Sequence, residues 1–449
     1  MSIASSDIFA TDRQLVTGKS DLAPQPTCLA ETGLTDTMVI ELIVKHLYEG
    51  GVLSMSDLRD RIRLPATILE EQLTFLRREA RIEIRSSTES THRFGLTDKG
   101  RVVALDALMR SGYVGPAPVP IEQYCEIARA QTVHADVTDR VGMNAAFDKV
   151  VLPPELLDQL GSAMNSGRAI FIYGPAGTGK TYITQQLSRL LGDSILIPYA
   201  IAVGEMIIEL YDAVLHKPAA PVEDVSSLAL NRGHDQRFAH CKRPVAIVGG
   251  ELTIDMLEVN YDPSHKIYRA PLQMRANNGI LIIDDMGRQR VAPEDLLNRW
   301  IVPLEEARDY LHVGSGMHFS VPFDVILIFS TNLNPLDLAD EAFLRRIGHK
   351  IYFGYLTPED YTRIWRQNCD EFQIPYDPEI ARFTIEELHR ANNTPLLPCH
   401  PRDLLRMALD HAGYVGEPGE VTKERLRWAW KNYFVSLDTS VTDKPCAKA

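Results

Sequence analysis

Two stretches of the chain carry residue types that do chemistry together. The first is FIYGPAGTGKT, where an apolar run meets Gly174, Pro175, Ala176, Gly177, Thr178, Gly179, Lys180 and Thr181, then continues from Tyr182 into the helix-like YITQQLSRLL. Strand, G-x-x-x-x-G-K-[ST] and helix in that order let backbone N–H groups turn inward as a nest for phosphate oxygens. The positive end of the following helix adds to that nest. Lys180 then reaches the β- and γ-phosphates and the Thr181 hydroxyl binds Mg²⁺, so ATP and Mg²⁺ are the expected cofactors.

The second stretch is GILIIDDMGR. Ile280 to Ile283 read as a short buried strand that ends in Asp284 and Asp285. Alone, such a pair solvates a strand end. Beside a phosphate loop, a carboxylate there holds the Mg²⁺ hydration shell, a role that fits Asp284. Asp285 would face the γ-phosphate as the base that polarises the attacking water.

The elements that must position these groups follow from the pattern of apolar runs. RAIFIY, DSILIPY, RPVAIVG, GILIIDD and FDVILIFSTN alternate with helical stretches over residues 125–356, which predicts an α/β domain with a mainly parallel sheet. Residues 357–437 predict a small helical domain built from EDYTRIWRQNCDEF, IARFTIEELHRA, RDLLRMALDHA and KERLRWAWKNYF. Ahead of them, residues 35–112 predict a separate module. Val39, Leu42, Ile43 and Leu47 mark one helix, SMSDLRDRI a second, and Leu69, Leu73, Leu76 and Ala80 a third. Two strand-like runs, IEIRSS and HRFGLT, then lead into a closing helix, the order of a winged-helix-like domain. The three prolines of residues 113–124 predict a semi-rigid linker, and residues 1–34 and 438–449 read as tails without periodicity.

Composition narrows the function classes. At 449 residues, 45% hydrophobic and 24% charged, the chain has room for two or three cores. Its formal net charge of -13 gives no global attraction to nucleic acid or to an anionic membrane. The six cysteines are scattered without a C-x-x-C pair, which argues for reduced thiols and against a metal cluster. The first residues carry acids and no basic segment followed by an apolar run, and no stretch is apolar enough to span a bilayer, so a soluble cytoplasmic protein with no membrane partner is expected.

On its phosphate loop and paired acids, the chain resembles the AAA+ ATPases, within them the MoxR-like group and its relatives among bacterial enhancer-binding activators. The resemblance spans about residues 125–435. It implies a P-loop AAA+ core with a C-terminal helical lid. Asp284-Asp285 stands where that family usually has Asp-Glu, one methylene longer, and Arg288 matches an arginine common just beyond. Asn332, ending FDVILIFSTN, is similar to the family's sensor-1 residue that aligns the lytic water. Arg346, with Arg345 beside it as a rival, takes the position of the arginine finger supplied to a neighbouring subunit. Arg402, with Arg406 as competitor, resembles the sensor-2 arginine that contacts the phosphates of its own subunit.

The resemblance also implies assembly with copies of itself, as a ring of six, that remodels a protein substrate or adaptor in a chaperone-like way. A looser family-level association is with pilus assembly. Two predicted hairpins, GGELTIDMLEVNYDPSHKIYRAP and ARDYLHVGSGMHFSVPFDV, occupy the positions where the group grips substrates at its pore. A DNA-binding ATPase is the alternative, because winged helices commonly read the major groove through their third helix. Against it, residues 35–113 hold 12 Lys/Arg and 12 Asp/Glu, and that helix carries Glu70 and Glu71 in its first half. Arg77, Arg78 and Arg81 still give it a basic end.

Overall fold

The computed structural model describes residues 22–88, 91–135, 137–219, 234–314, 316–417 and 419–434. The chain forms two compact units. One comprises Met1–Asp136, Leu191–Leu281 and Arg290–Leu327, the other Val137–Leu190, Ile282–Gln289 and Ile328–Ala449. These units cut across the boundaries expected from composition.

In the first unit the predicted helices form as Asp36–Gly50, Met55–Ile62 and Ala66–Arg78, followed by Asp98–Arg110. Thr35, Ser54 and Thr97 cap three of them by accepting from backbone N–H groups of the first turn. Val39, Leu42, Ile43, Leu47, Leu69, Leu73 and Leu76 are buried as their spacing requires. Ala80 is not part of that face. It lies beyond the end of its helix, exposed, at φ 50°. The two expected strands become three, because Val52–Ser54 joins Thr91–Leu96 antiparallel, with Ile82–Thr88 on the other side.

The expected linker is packed. Tyr113, Ala117 and Val119 are buried, Ala117 N donates to Ile62 O at 2.7 Å, and Val119–Pro120 pairs parallel with residues 201–202. The core of the helical module continues into Ala200, Ala202 and Ile207, so burial of these residues outweighs the proline content that suggested a spacer. Residues 22–34, expected as tail, are also ordered. Arg237, fully buried and paired with Asp235 at 2.7 Å, donates to Thr32 O at 2.9 Å and Pro118 O at 3.0 Å. The rest of both expected tails, residues 1–21 and 438–449, lies outside the described residues.

One predicted strand differs in direction. Ser194–Pro198 pairs antiparallel with Phe238–Lys242 instead of joining the parallel sheet. An apolar run signals burial, and carries no information on the direction of its partner. Both predicted hairpins form, as Asn260–Asp262 with Ile267–Arg269 and as Arg308–Val313 with Met317–Pro322.

The second unit is α/β, a parallel sheet flanked by helices, with a helical C-terminal region. Strand Ile326–Thr331 pairs parallel with Ile170–Tyr173 through Ile328↔Ile170 to Thr331↔Tyr173, and His349–Tyr352 pairs parallel with the other edge of Ile170–Tyr173. Ile280–Ile283 lies next to Ile326–Thr331. Every residue of Ile280–Ile283 and Ile326–Thr331 is buried, which explains why both runs are continuous in sequence instead of alternating. The C-terminal region consists of Pro358–Glu371, Pro378–Phe383, Cys399–Val415 and Lys423–Tyr433. IARFTIEELHRA, expected as one helix, widens into a π-helical turn over Thr384–Arg390. That turn carries buried His389, whose Nε2 lies 3.0 Å from the Tyr361 hydroxyl. Among the described residues no helix is long and apolar enough to cross a membrane.

Candidate nucleotide site

Strand Ile170–Tyr173 delivers the chain to Gly174, and helix Lys180–Gln186 receives it. The turn between them depends on glycine at two points. At Gly174, with φ 145°, a Cβ would sit 2.1 Å from Phe353 O. At Gly177, with φ 82°, it would meet Cys399 Sγ at 3.0 Å and Leu397 at 3.2 Å. Any larger residue would close the cradle from below or push it away from the helix beginning at Cys399.

Lys180 is buried to 6% exposure, and its ammonium donates to Gly174 O at 2.8 Å, Pro175 O at 2.8 Å and Asn332 Oδ1 at 2.6 Å. Burial pulls its pKa below the ordinary lysine value, while Asp284 and Asp285 act in the opposite direction and favour the charge. The Thr178 hydroxyl donates to Pro175 O at 2.9 Å and holds the loop closed on itself. Thr181 Oγ1 donates to Asp284 Oδ2 at 2.7 Å.

The paired acids leave the buried strand in an uncommon conformation. Asp285 N donates to Asp284 Oδ1 at 3.0 Å, and Asp285 itself sits at φ 48°. Aspartate and asparagine tolerate that left-handed region better than other residues with a Cβ. The backbone therefore supplies a reason for aspartate where the resemblance led one to expect glutamate. Asn332 Nδ2 donates to Asp285 Oδ1 at 3.1 Å, so one amide joins Lys180 to Asp285. The ends of the two strands are laced together by Met286 N to Ser330 O at 2.8 Å and Thr331 Oγ1 to Met286 O at 2.7 Å.

Gln289 was not singled out from the sequence. Its Nε2 donates to Asp284 O at 3.0 Å and to Asp285 O at 3.3 Å, and its Oε1 accepts from Gly287 N at 2.8 Å. A glutamine in a loop, four residues past the acids, has no spacing signature that would flag it.

These groups border a cavity of about 1190 Å³, lined by the loop from Ala176 to Ile183, by Asp284, Asp285 and Asn332, and by the segment 148–152. Ile364, Asn368 and Arg402 close it from the C-terminal helices. Tyr182 also lines it, with its ring half exposed. Gly174 and Pro175 serve through their carbonyls, as anchors for Lys180. Arg402 lies 3.5 Å from Glu371 at the cavity wall. Arg345 and Arg346 are not brought to it: Arg345 pairs with Glu341 at 3.6 Å in an 80% exposed position, and Arg346 ends the helix Glu341–Arg346.

The residues fit a magnesium nucleotide. Cradle carbons are absent where a Cβ would clash, and a buried ammonium stands beside the loop. A hydroxyl and a carboxylate already 2.7 Å apart form the hard-oxygen pair that magnesium takes together with phosphate and water. Among the described residues no group of three or more His, Cys, Asp and Glu side chains could hold a metal ion alone.

A family model described as "Domain of unknown function (DUF8689)" matches residues 357–432, the C-terminal helical region. No curated protein matches the sequence. Similar solved structures include the RuvB Holliday junction branch migration motor of Thermotoga maritima, at 13% identity and TM-score 0.36, covering 64% of this chain and 70% of that one. NtrX from Brucella abortus in complex with ADP is 16% identical at TM-score 0.38, covering 73% and 65%. The complex between subunits BchI and BchD of magnesium chelatase gives 18% identity at TM-score 0.31, covering 61% and 89%.

Proposed function

We propose that this chain is a Mg-ATP hydrolase of the AAA+ type. The observation that carries the reading is the continuous set of contacts from Lys180 through Asn332 to Asp285, with Thr181 on Asp284, at the edge of one cavity. In this reading the loop N–H groups and Lys180 bind the phosphates, and Thr181 and Asp284 hold the metal. Magnesium would supply neutralisation of the negative charge on the phosphates. Asp285 accepts the proton of the attacking water, and Asn332 keeps that carboxylate aimed. Arg402, on the wall of the same cavity, touches the nucleotide of its own chain.

Neither Arg345 nor Arg346 lines this cavity, as expected of a finger that acts on a neighbouring copy. We therefore include self-assembly into a ring, with six copies as the working number, in the proposal. The two hairpins and the N-terminal winged-helix-like module would then meet a protein substrate in a chaperone-like remodelling reaction, for which assembly of a pilus or another complex in the cytoplasm is one setting. DNA binding is the weaker reading. Glu70 and Glu71 are exposed on Ala66–Arg78, and a helix that follows phosphates is disfavoured by acids there.

The reading is tested by ATP turnover of Lys180→Ala and Asp285→Asn beside the wild type. The first should lose nucleotide binding, the second should bind and hydrolyse only at a residual rate. Full turnover in Lys180→Ala would remove the assignment.

A further inference from the structure

We propose that Gln289 is a positioning residue for the Asp285 carboxylate, fixing its direction through the backbone. This rests on the hydrolase reading and adds a residue to it. The carbonyl of Asp284 belongs to the planar peptide before Asp285, and the carbonyl of Asp285 to the planar peptide after it. The angle between those planes is set by φ and ψ of Asp285 alone. Gln289 Nε2 donates to both carbonyls, at 3.0 and 3.3 Å, so a single amide bridges the two planes.

The conformation it holds is one that needs holding. Asp285 stands at φ 48°, where a residue with a Cβ is strained, and relaxation toward negative φ would swing the Cβ and its carboxylate to another direction. The turn is gripped on its far side as well. Gly287, at φ 99°, gives its N–H to Gln289 Oε1 at 2.8 Å, and a Cβ on it would strike Leu333 at 2.7 Å. Arg288 N donates to Asp285 O at 3.0 Å and Met286 N to Ser330 O at 2.8 Å, so the peptide after Asp285 has other anchors. The peptide before it has the Asp284 carboxylate on its N–H and Gln289 on its carbonyl. Asn332 then meets a carboxylate already pointed at it, at 3.1 Å. The bonds of the Gln289 amide to Asp284 O, Asp285 O and Gly287 N run to the backbone, and Gln289 does not line the cavity, which is why its effect would be on the rate and not on affinity.

Two variants separate this from a general structural role. Gln289→Met keeps the length and removes every hydrogen bond, while Gln289→Glu keeps an acceptor for Gly287 N and removes both donated bonds. In each, kcat for ATP should fall about tenfold, since small misplacements of a reacting group cost that order of rate. KM for Mg-ATP and the affinity for ADP should stay within about twofold, as expected for an interaction used only in the transition state. Added to Asp285→Asn, Gln289→Met should lower the residual turnover no further, because both changes act through one carboxylate. The proposal is overturned by unchanged kcat in both variants, by equal losses of kcat and ADP affinity, or by a full additional loss in the double variant. Wild-type protein that binds Mg-ATP without turning it over, or does not bind it, overturns the hydrolase reading and this proposal together. A wild type that turns over ATP confines any failure to Gln289.

Discussion

Asn332 Nδ2 donates to Asp285 Oδ1 at 3.1 Å while its Oδ1 accepts a hydrogen bond from Lys180 at 2.6 Å, so the residue that follows one buried strand sets the orientation of the acid leaving its neighbour. The amide is oriented unambiguously by that pair, because lysine can only donate and an ionised carboxylate can only accept.

Asn332→Ala should therefore reduce kcat by about two orders of magnitude, the scale on which loss of one preorganised polar group acts in such sites. Affinity for ADP should be retained, since Thr181 is untouched and Lys180 keeps its bonds to Gly174 O and Pro175 O. Steady-state kinetics paired with equilibrium ADP binding checks both halves.

Asp285→Glu, which introduces the residue usual at this position in the resembling family, should not accelerate ATP turnover. Holding glutamate in the left-handed region at φ 48° should cost roughly 1 kcal/mol in stability, part of the general penalty for that region. Thermal denaturation of Asp285→Glu against wild type, together with its kcat, tests this. A faster and equally stable variant would show that the backbone does not dictate the aspartate.

How far the site could be read from sequence depended on how local its determinants are. The loop from Gly174 to Thr181 is encoded by adjacent residues, and the acids by the strand they end, so both stood out. Asn332 could be placed only by its order after them. Gln289 and the left-handed Asp285 were hidden because a turn's dihedrals are set by contacts among residues 284–289 and 330–333 that leave no periodic trace. The fold divides in the same way. The faces of Asp36–Gly50 and Ala66–Arg78 were legible from 3.6-residue spacing, whereas the antiparallel pairing of Ser194–Pro198 and the burial of the proline-rich segment 113–120 depend on distant partners.

The C-terminal helices should lose stability in acid. Burial, with the neighbouring His400 second, lowers the pKa of His389 to about 4, and burial lowers that of His400 to about 4, from an ordinary 6.5. Both are neutral when folded and take up protons on unfolding below pH 6.5. Their linkage therefore leaves stability intact above that value and withdraws it progressively as pH falls from about 6.5 toward about 4. The drop in melting temperature between pH 7 and pH 5 should be smaller in His400→Leu than in wild type, measured by differential scanning calorimetry.

Arg346→Ala should abolish most turnover without affecting binding of ATP to the same chain, by a factor on the order of 10³ if it supplies the finger. Mixed with Lys180→Ala subunits, it should regain activity at interfaces where an intact loop meets an intact arginine. Arg345→Ala, tested in parallel, should be mild, as its partner Glu341 is itself exposed.

The central claim is that one magnesium nucleotide binds between the loop at Lys180 and the acids at Asp284 and Asp285. Isothermal titration of Mg-ATP into the Asp285→Asn protein measures this most directly. The account predicts saturable binding, with hydrolysis reduced to a residual rate, that disappears in the Lys180→Ala, Asp285→Asn double variant. Absence of binding in the single variant and in wild type, or equal binding in the double variant, would contradict it.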